Sequence, residues 1–343
     1  MPAQRTTTAP GSDVGETDGR EQPNDGTQDL HVVFGSGGAG GAIVRELAAQ
    51  GKRVRAVTRS SRGSVPAGVE WVTADAADPA STKAACAGAA VVYHAVNVPY
   101  PAWPQVLPPV MSSLIAGAGA ANATLVYVDN AYAYGPVNRP MTEAMPDAAT
   151  TKKGRLRAQL AATLLAAHQA GNVRAVIGRG SDYFGPGVTN SAAGDRLFPA
   201  ILAGKKAMWV GSLDQPHTMT FIEDYARVLI TLGTRPESYG QIWHAPADEP
   251  LTGRQFLTLA CELAGQPARL GVYSPWAIRL AGLFDPVLRE LPELAYEFTA
   301  PFVLDGSRYQ AKFGGAPTPH RDALRATLDW YASLPGGQDD KPG

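Results

Sequence analysis

The sequence is poor in several features that would assign a function at once. It has 2 cysteines in 343 residues, Cys86 and Cys261, each inside an apolar stretch with helical spacing. Such thiols read as buried and reduced rather than as a disulfide framework. No Cys/His cluster has metal-ligand spacing, so no metal site is expected. Charge is nearly balanced, formally -1, whereas a nucleic-acid surface needs a basic excess or stripe. No apolar run reaches the roughly 18–20 residues that span a bilayer. The start of the chain lacks the basic and apolar regions of a secretion signal, and the expected location is the cytoplasm. Large apolar side chains are nearly missing from residues 1–29. That segment cannot offset the entropy of ordering and is expected to be a disordered tail.

From Leu30 onward, short β-branched runs alternate with longer Ala- and Leu-rich stretches. "LHVVF", "RVRAVT", "VEWVT", "AAVVYHA", "TLVYV" and "VRAVIG" read as strands. Helices are expected after the first strand, over about 104–121, and from "TTKKGRLRAQ" to Gly171. Strands apolar on both faces, separated by helices, mean a parallel sheet covered on both sides. The expected fold is α/β, a Rossmann doubly wound parallel sheet with a smaller C-terminal substrate lobe. The NADP(H)-binding Rossmann domain is placed at 30–186, with a returning segment near 220–246 that carries "GQIWHA". Residues 187–335 are assigned mostly to the substrate lobe and 336–343 to a frayed tail. Later helices are expected at about 222–232, 253–265, 285–300 and 320–334.

"GSGGAGG" follows the first strand directly and opens the first helix, with Gly35, Gly38 and Gly41 in GxxGxxG spacing. In that context the motif is meaningful. Gly35 permits the tight turn, Gly38 lets a pyrophosphate approach, and Gly41 lets helix and strand pack closely. The free amides of the helix N-terminus face the anion. Gly35, Ser36, Gly37, Gly38, Ala39 and Gly41 are therefore the expected phosphate-binding residues. The second strand ends in "VTRSSR", without an acidic residue. Arg59 and Arg62 offer planar, permanently charged groups that suit a 2′-phosphate. NADPH is the expected cofactor and NADH the alternative. His94 and Asn97, after the fourth strand, are expected along the same groove.

With these residues the chain resembles the extended short-chain dehydrogenase/reductase family, which includes nucleotide-sugar epimerases and dehydratases. The likeness runs over about 30–335, through "GSGGAGG", "TADAAD", "YAYGP", "GRGSDYFGPG", "TFIEDYARVL" and "PFVLDGSRYQAKFG". It implies that Asp75, with Ala76 beside it, lies near the adenine. Family members also carry Ser/Thr after the fifth strand and Tyr-x-x-x-Lys on the next helix, one turn apart on one face. Here Asp129 and Asn130 stand at the serine positions, Lys153 at the Tyr position and Arg157 at the Lys position. The usual mechanism cannot be carried over. The missing tyrosine and the Ala/Gly/Arg-rich usage are similar to angucyclinone ketoreductases of the simocyclinone type, which implies an aromatic polyketide ketone and antibiotic biosynthesis.

General acid–base assistance contributes about 10²–10⁴ in rate, and orientation contributes several kcal/mol more. A reductase therefore survives loss of the tyrosine if charge on the forming alkoxide is stabilised differently. Lys153 and Arg157 could form a cationic patch for an oxyanion; Asn130, Tyr134 or Tyr183 could serve nearby; or the substrate could assist itself. His217 faces the substrate lobe, and Asp182 reads as a cap on the turn after the sixth strand. Tyr100, Trp103 and Trp209 suggest an apolar, aromatic small-molecule substrate. The leading expectation is an NAD(P)H-dependent ketoreductase. The alternatives are a catalytically silent NADP(H)-binding regulator and, third, a sugar-nucleotide epimerase or dehydratase.

Overall fold

The computed structural model describes residue 1 and residues 29–59, 66–274, 276, 283 and 290–334. Residues 2–28 of the expected tail, Arg62, residues 285–289 of the expected helix and the tail 336–343 lie outside the described residues. Seven parallel strands form the main sheet. They are β1 (Leu30–Phe34), β2 (Arg53–Thr58), β3 (Glu70–Thr73), β4 (Ala89–His94), β5 (Thr124–Asn130), β6 (Arg174–Gly180) and β11 (Ile242–His244). Their order is β11-β6-β5-β4-β1-β2-β3. The chain starts in the middle, winds outward to β3, then returns to the other side of β1. This reversal opens a crevice at the C-terminal ends of β1 and β4, where such folds bind ligands.

Alternating side chains of the strands feed two helical layers. Val32, Phe34, Val92, Leu125 and Ile177 pack under α3 (Trp103–Ala120) and α4 (Lys152–Gln169), meeting Leu107, Leu114, Leu160 and Leu164. Val33, Val91, Val126 and Val176 point the opposite way. They meet Ile43 and Leu47 of α1 (Gly38–Ala49) and Tyr225 and Leu229 of α5 (Ile222–Thr234). Each fully buried Leu or Ile stabilises this arrangement by about 1.5–3 kcal/mol. The short helix α2 (Pro79–Cys86) begins where the Asp78 side chain accepts from the Ser81 amide, satisfying one of the helix's orphan donors.

A separate apolar cluster gathers residues after β6, including Phe198, Trp209, Phe256, Phe298, Leu324 and Tyr331. Its strands are small pairs: β7 (Asp182–Phe184) with β10 (Met219–Phe221), β9 (Pro216–His217) with β12 (Leu251–Thr252), and β8 (Ala207–Trp209) with β13 (Leu270–Val272). These two- and three-residue strands are too short to carry a period-2 signal of their own, which hides them in the sequence. The described part of the helix expected at 285–300 is two short pieces, Leu291–Leu294 and Tyr296–Thr299. Cys86 and Cys261 are free, buried thiols. Among the described residues no helix is long and apolar enough to cross a membrane.

Candidate active site

A cleft of about 260 Å³ opens at the β1–β4 reversal. It is lined by Gly35, Ser36, Gly37, Thr58, Arg59, Asp75, Ala76 and Asn97, among others. Gly35 has φ +100°, and a Cβ there would lie 2.5 Å from the Ala95 carbonyl oxygen. Only glycine lets the first turn approach the end of β4 so closely. Gly37 precedes α1 and provides no side-chain cap, so the first amides of that helix have no side-chain acceptor. At Gly38 a Cβ would press on Val188 at 3.0 Å.

The close-packing role falls on Gly40, not on Gly41. A Cβ on Gly40 would sit 1.9 Å from the Gly35 carbonyl oxygen, whereas one on Gly41 meets only Arg45 at 3.4 Å and Ser36 at 3.6 Å. The motif spacing pointed one residue too far, because the helix turns Gly40 onto the loop. Ala39 lies in the same first turn, partly exposed. Arg59 is exposed at the cleft's edge. Asp75 lines the cleft and accepts from the Ala77 amide at 2.9 Å, which fixes its turn. Asn97 lines the cleft and accepts from the Trp103 indole at 3.1 Å. His94 does not line the expected cofactor groove: it is 1% exposed and packs on Tyr127 at 5.0 Å. Burial, then the charge of Arg157, pushes it down to about 3.

At the start of α4 the Thr151 side chain accepts from the Gly154 amide at 3.1 Å. A Cβ on Gly154 would meet the Tyr132 carbonyl oxygen at 2.5 Å, so α4 begins flush against the turn that follows β5. Lys153 and Arg157 therefore point into the protein, 4% and 6% exposed. The two do not form one cationic patch. The Lys153 ammonium is bound by Glu290 at 2.5 Å and Glu293 at 2.7 Å. Arg157 stacks over Trp103 at 4.3 Å, donates to the Tyr127 hydroxyl at 2.7 Å and faces Asp129 at 3.6 Å. Helical spacing put both cations on one face, but carboxylates distant in sequence neutralise each one.

The other expected donors are also engaged. Tyr134, 1% exposed, pairs with His244 Nε2 at 2.6 Å. Tyr183 donates to the Asp129 carbonyl at 2.7 Å, in space that exists because a Cβ on Gly180 would overlap its ring. Asn130 caps the next turn, accepting from the Tyr132 amide at 3.2 Å. Arg179 pairs with Asp129 at 2.9 Å and bridges to Asp147 at 2.8 Å. Trp103 lies beneath Arg157, and Trp209 packs on Phe256 and Phe298, so neither indole forms a substrate wall.

A second polar group collects where the lobes meet. Asp182 is not a turn cap; its carboxylate lies 2.7 Å from His217 Nε2. His217 Nδ1 contacts the Glu297 carbonyl oxygen at 3.1 Å. Tyr100 and Tyr132 join hydroxyl to hydroxyl at 3.1 Å, and Lys153 lies over the Tyr100 ring at 5.1 Å. Burial pushes Tyr100 up to about 12. Burial first, then the charge of Asp182, holds the Glu297 carboxyl well above the usual range. Tyr100 carried a sequence signal as an aromatic in a proline-rich loop. Glu297 carried none: it is one glutamate among several in "RELPELAYEFTAP".

The reversed strand order, the glycine turn at its crevice and the helix after β5 define a nucleotide-type Rossmann enzyme fold. The chain belongs to the NAD dependent epimerase/dehydratase family, whose sequence profile matches residues 32–244. Solved structures share the fold. MoeE5, solved with UDP-glucose and NAD, aligns at TM-score 0.72 with 19% identity over 88% of this chain and 98% of its own. A UDP-glucuronic acid 4-epimerase from Bacillus cereus, in complex with NAD, aligns at 0.70 with 15% identity over 88% and 98%. TunA, an NDP-hexosamine 5,6-dehydratase of tunicamycin biosynthesis, aligns at 0.70 with 18% identity over 90% and 99%. No curated protein matches the sequence.

Proposed function

We propose that the chain is an NADPH-dependent reductase of an apolar, aromatic ketone that works without the Ser-Tyr-Lys set. The carrying observation is the character of the wall beside α4. Tyr100, Tyr132 and Tyr296 are partly exposed there, and burial makes all three weaker acids than a free phenol. Among the described residues of this wall, Lys153 is paired with Glu290 and Glu293, and Arg157 and Arg179 face Asp129. A sugar nucleotide would bring a diphosphate to a surface whose cations are already engaged. A neutral aromatic ring instead meets tyrosine faces, which stack well with it. Such a wall suits an epimerase or dehydratase substrate less well. The resemblance to angucyclinone ketoreductases points to a polyketide-type substrate of secondary metabolism.

The glycine turn and the amides of α1 would hold the pyrophosphate, with Asp75 and Ala76 near the adenine. Arg59 would meet the 2′-phosphate; Arg62, three residues further along and outside the described residues, is expected to assist. When bound, NADPH supplies the hydride that reduces a carbonyl carbon.

The test is NADPH oxidation by purified protein with aromatic and quinonoid ketones, run beside UDP-sugars with NAD. Turnover of a ketone with NADPH is expected. Removal of a charge-assisted contact costs about 1.5–3 kcal/mol, so Arg59→Ala should weaken NADPH binding by roughly 10–100-fold and leave NADH binding unchanged. Conversion of a UDP-sugar without ketone turnover would overturn the reading. Tight NADPH binding with no turnover would favour the regulator reading, for which the pairing of both Lys153 and Arg157 speaks.

A further inference from the structure

Glu297 is a buried carboxyl, set beside Tyr296, with one oxygen that no hydrogen bond satisfies. It is 1% exposed, and its Oε1 has no hydrogen-bond partner. Leaving such an atom unsatisfied ordinarily costs about 1–3 kcal/mol. The neighbouring Tyr296 hydroxyl is also buried and unpartnered. Titratable and charged groups surround Glu297 from several elements: Asp182 of β7, His217 of β9, Lys153 of α4, Tyr100 and Tyr132 of the turns after β4 and β5, and Tyr296 beside it.

His217 fixes this group in place. Its two ring nitrogens face acceptors only, the Asp182 carboxylate and the Glu297 main-chain carbonyl. The ring is clamped between Phe298, at 5.0 Å and 7°, and Phe302, at 5.3 Å and 27°. It therefore anchors the main chain of Glu297 in one place.

We propose that Glu297 is the proton donor that replaces the missing tyrosine, with the Asp182–His217 pair as its positioning residues. The assignment rests on the reductase reading. It follows by comparison with the other donors placed near α4, of which Tyr296, though its hydroxyl is unpartnered, is made a weaker acid by burial. Tyr134 and Tyr183 are committed to His244 and to the Asp129 carbonyl. Tyr100 and Tyr132 are bonded to each other, and burial makes both weaker acids. Lys153 is held by two carboxylates. A neutral carboxyl with a free oxygen is the group best matched to donation near neutral pH. As the carbonyl carbon is reduced by hydride from NADPH, its oxygen takes the Glu297 proton; the carboxylate regains a proton from solvent, and alcohol and NADP⁺ are released.

Glu297→Gln keeps shape and removes the acid. In full-length protein it should lower kcat by about 10²–10⁴ while KM and NADPH affinity stay at wild-type values. The alkaline limb of the kcat–pH profile, where the acid loses its proton, should vanish. His217→Gln should shift that limb, which a purely structural role would leave in place. Independently of turnover, infrared spectra at pH 7 should contain a protonated-carboxyl band that Glu297→Gln abolishes. An unchanged kcat in Glu297→Gln, or turnover in a wild-type protein that lacks the band, overturns the donor role alone. Wild-type protein that has the band but reduces no ketone overturns the reductase reading, and the donor role with it.

Discussion

At the adenosine end of the crevice the lining is loop and backbone, and its charged side chains, Arg59 and Asp75, stand exposed. At the α4 end the charged side chains are buried and already partnered within the chain. The first region binds by the shape of a short loop, and its requirements lie within seven consecutive residues. The second is assembled from contacts between residues 35, 50, 80 and 140 positions apart. An open, backbone-built site is preorganised by glycine geometry. A closed, side-chain-built site depends on charge pairs in a low-dielectric interior, where removing one partner is costly.

The strongest way to break this contrast is Arg179→Met. The substitution strips Asp129, fully buried, of its 2.9 Å partner. Loss of one member of a buried pair costs about 3–5 kcal/mol, to be read from urea unfolding at pH 7. The matched change at the open end, Arg59→Ala, should stay within about 0.5 kcal/mol, as surface substitutions do. Equal losses at the two ends would dissolve the distinction.

The same contrast explains what the sequence reveals. The strands and glycine loop are legible because hydrophobic periodicity and φ requirements are local. Helix α4 is legible through Lys153 and Arg157, but their fate depends on Glu290, Glu293 and Asp129, which no spacing rule connects to them. Asp182 and His217 both attract notice in the sequence, yet their pairing emerges only when β7, β9 and β10 are brought together. Glu297 has no local signal at all. Its significance comes from a partnerless oxygen in a buried place.

Acid should separate the regions next. Burial pushes His94 down to about 3, with Arg157 adding to the effect. Below its unfolded value of 6.5, the unfolded chain takes up a proton that the native chain refuses, so His94 withdraws stability as pH falls. At pH 5 that amounts to about 2 kcal/mol. Glu297 acts with the opposite sign: its raised value lends stability at low pH that is lost as pH rises above the ordinary carboxylate range. The total slope therefore mixes both, and the informative quantity is a difference. His94→Phe should lose about 2 kcal/mol less than the wild type between pH 7 and pH 5. Identical losses would mean that His94 is not held neutral by its burial.

The smallest effect is the sharpest test of the open end. Spacing alone nominates Gly41 as the glycine that seats α1 on β1, but the geometry gives that place to Gly40. A methyl at Gly41 enters ordinary contact with the tip of Arg45, a flexible side chain, and with the Ser36 carbonyl oxygen. Alanine also spares the backbone entropy that glycine loses inside a helix, worth about 0.5–1 kcal/mol. Gly41→Ala should therefore raise stability by up to that amount, with NADPH affinity retained. Gly40→Ala should lower both, since its Cβ would stand 1.9 Å from a carbonyl oxygen of the tight first turn. That neighbour is backbone and cannot swing away. Thermal unfolding and NADPH titration of the two variants, side by side, decide between the motif and the geometry. A Gly41→Ala that loses the cofactor while Gly40→Ala keeps it would restore the spacing rule.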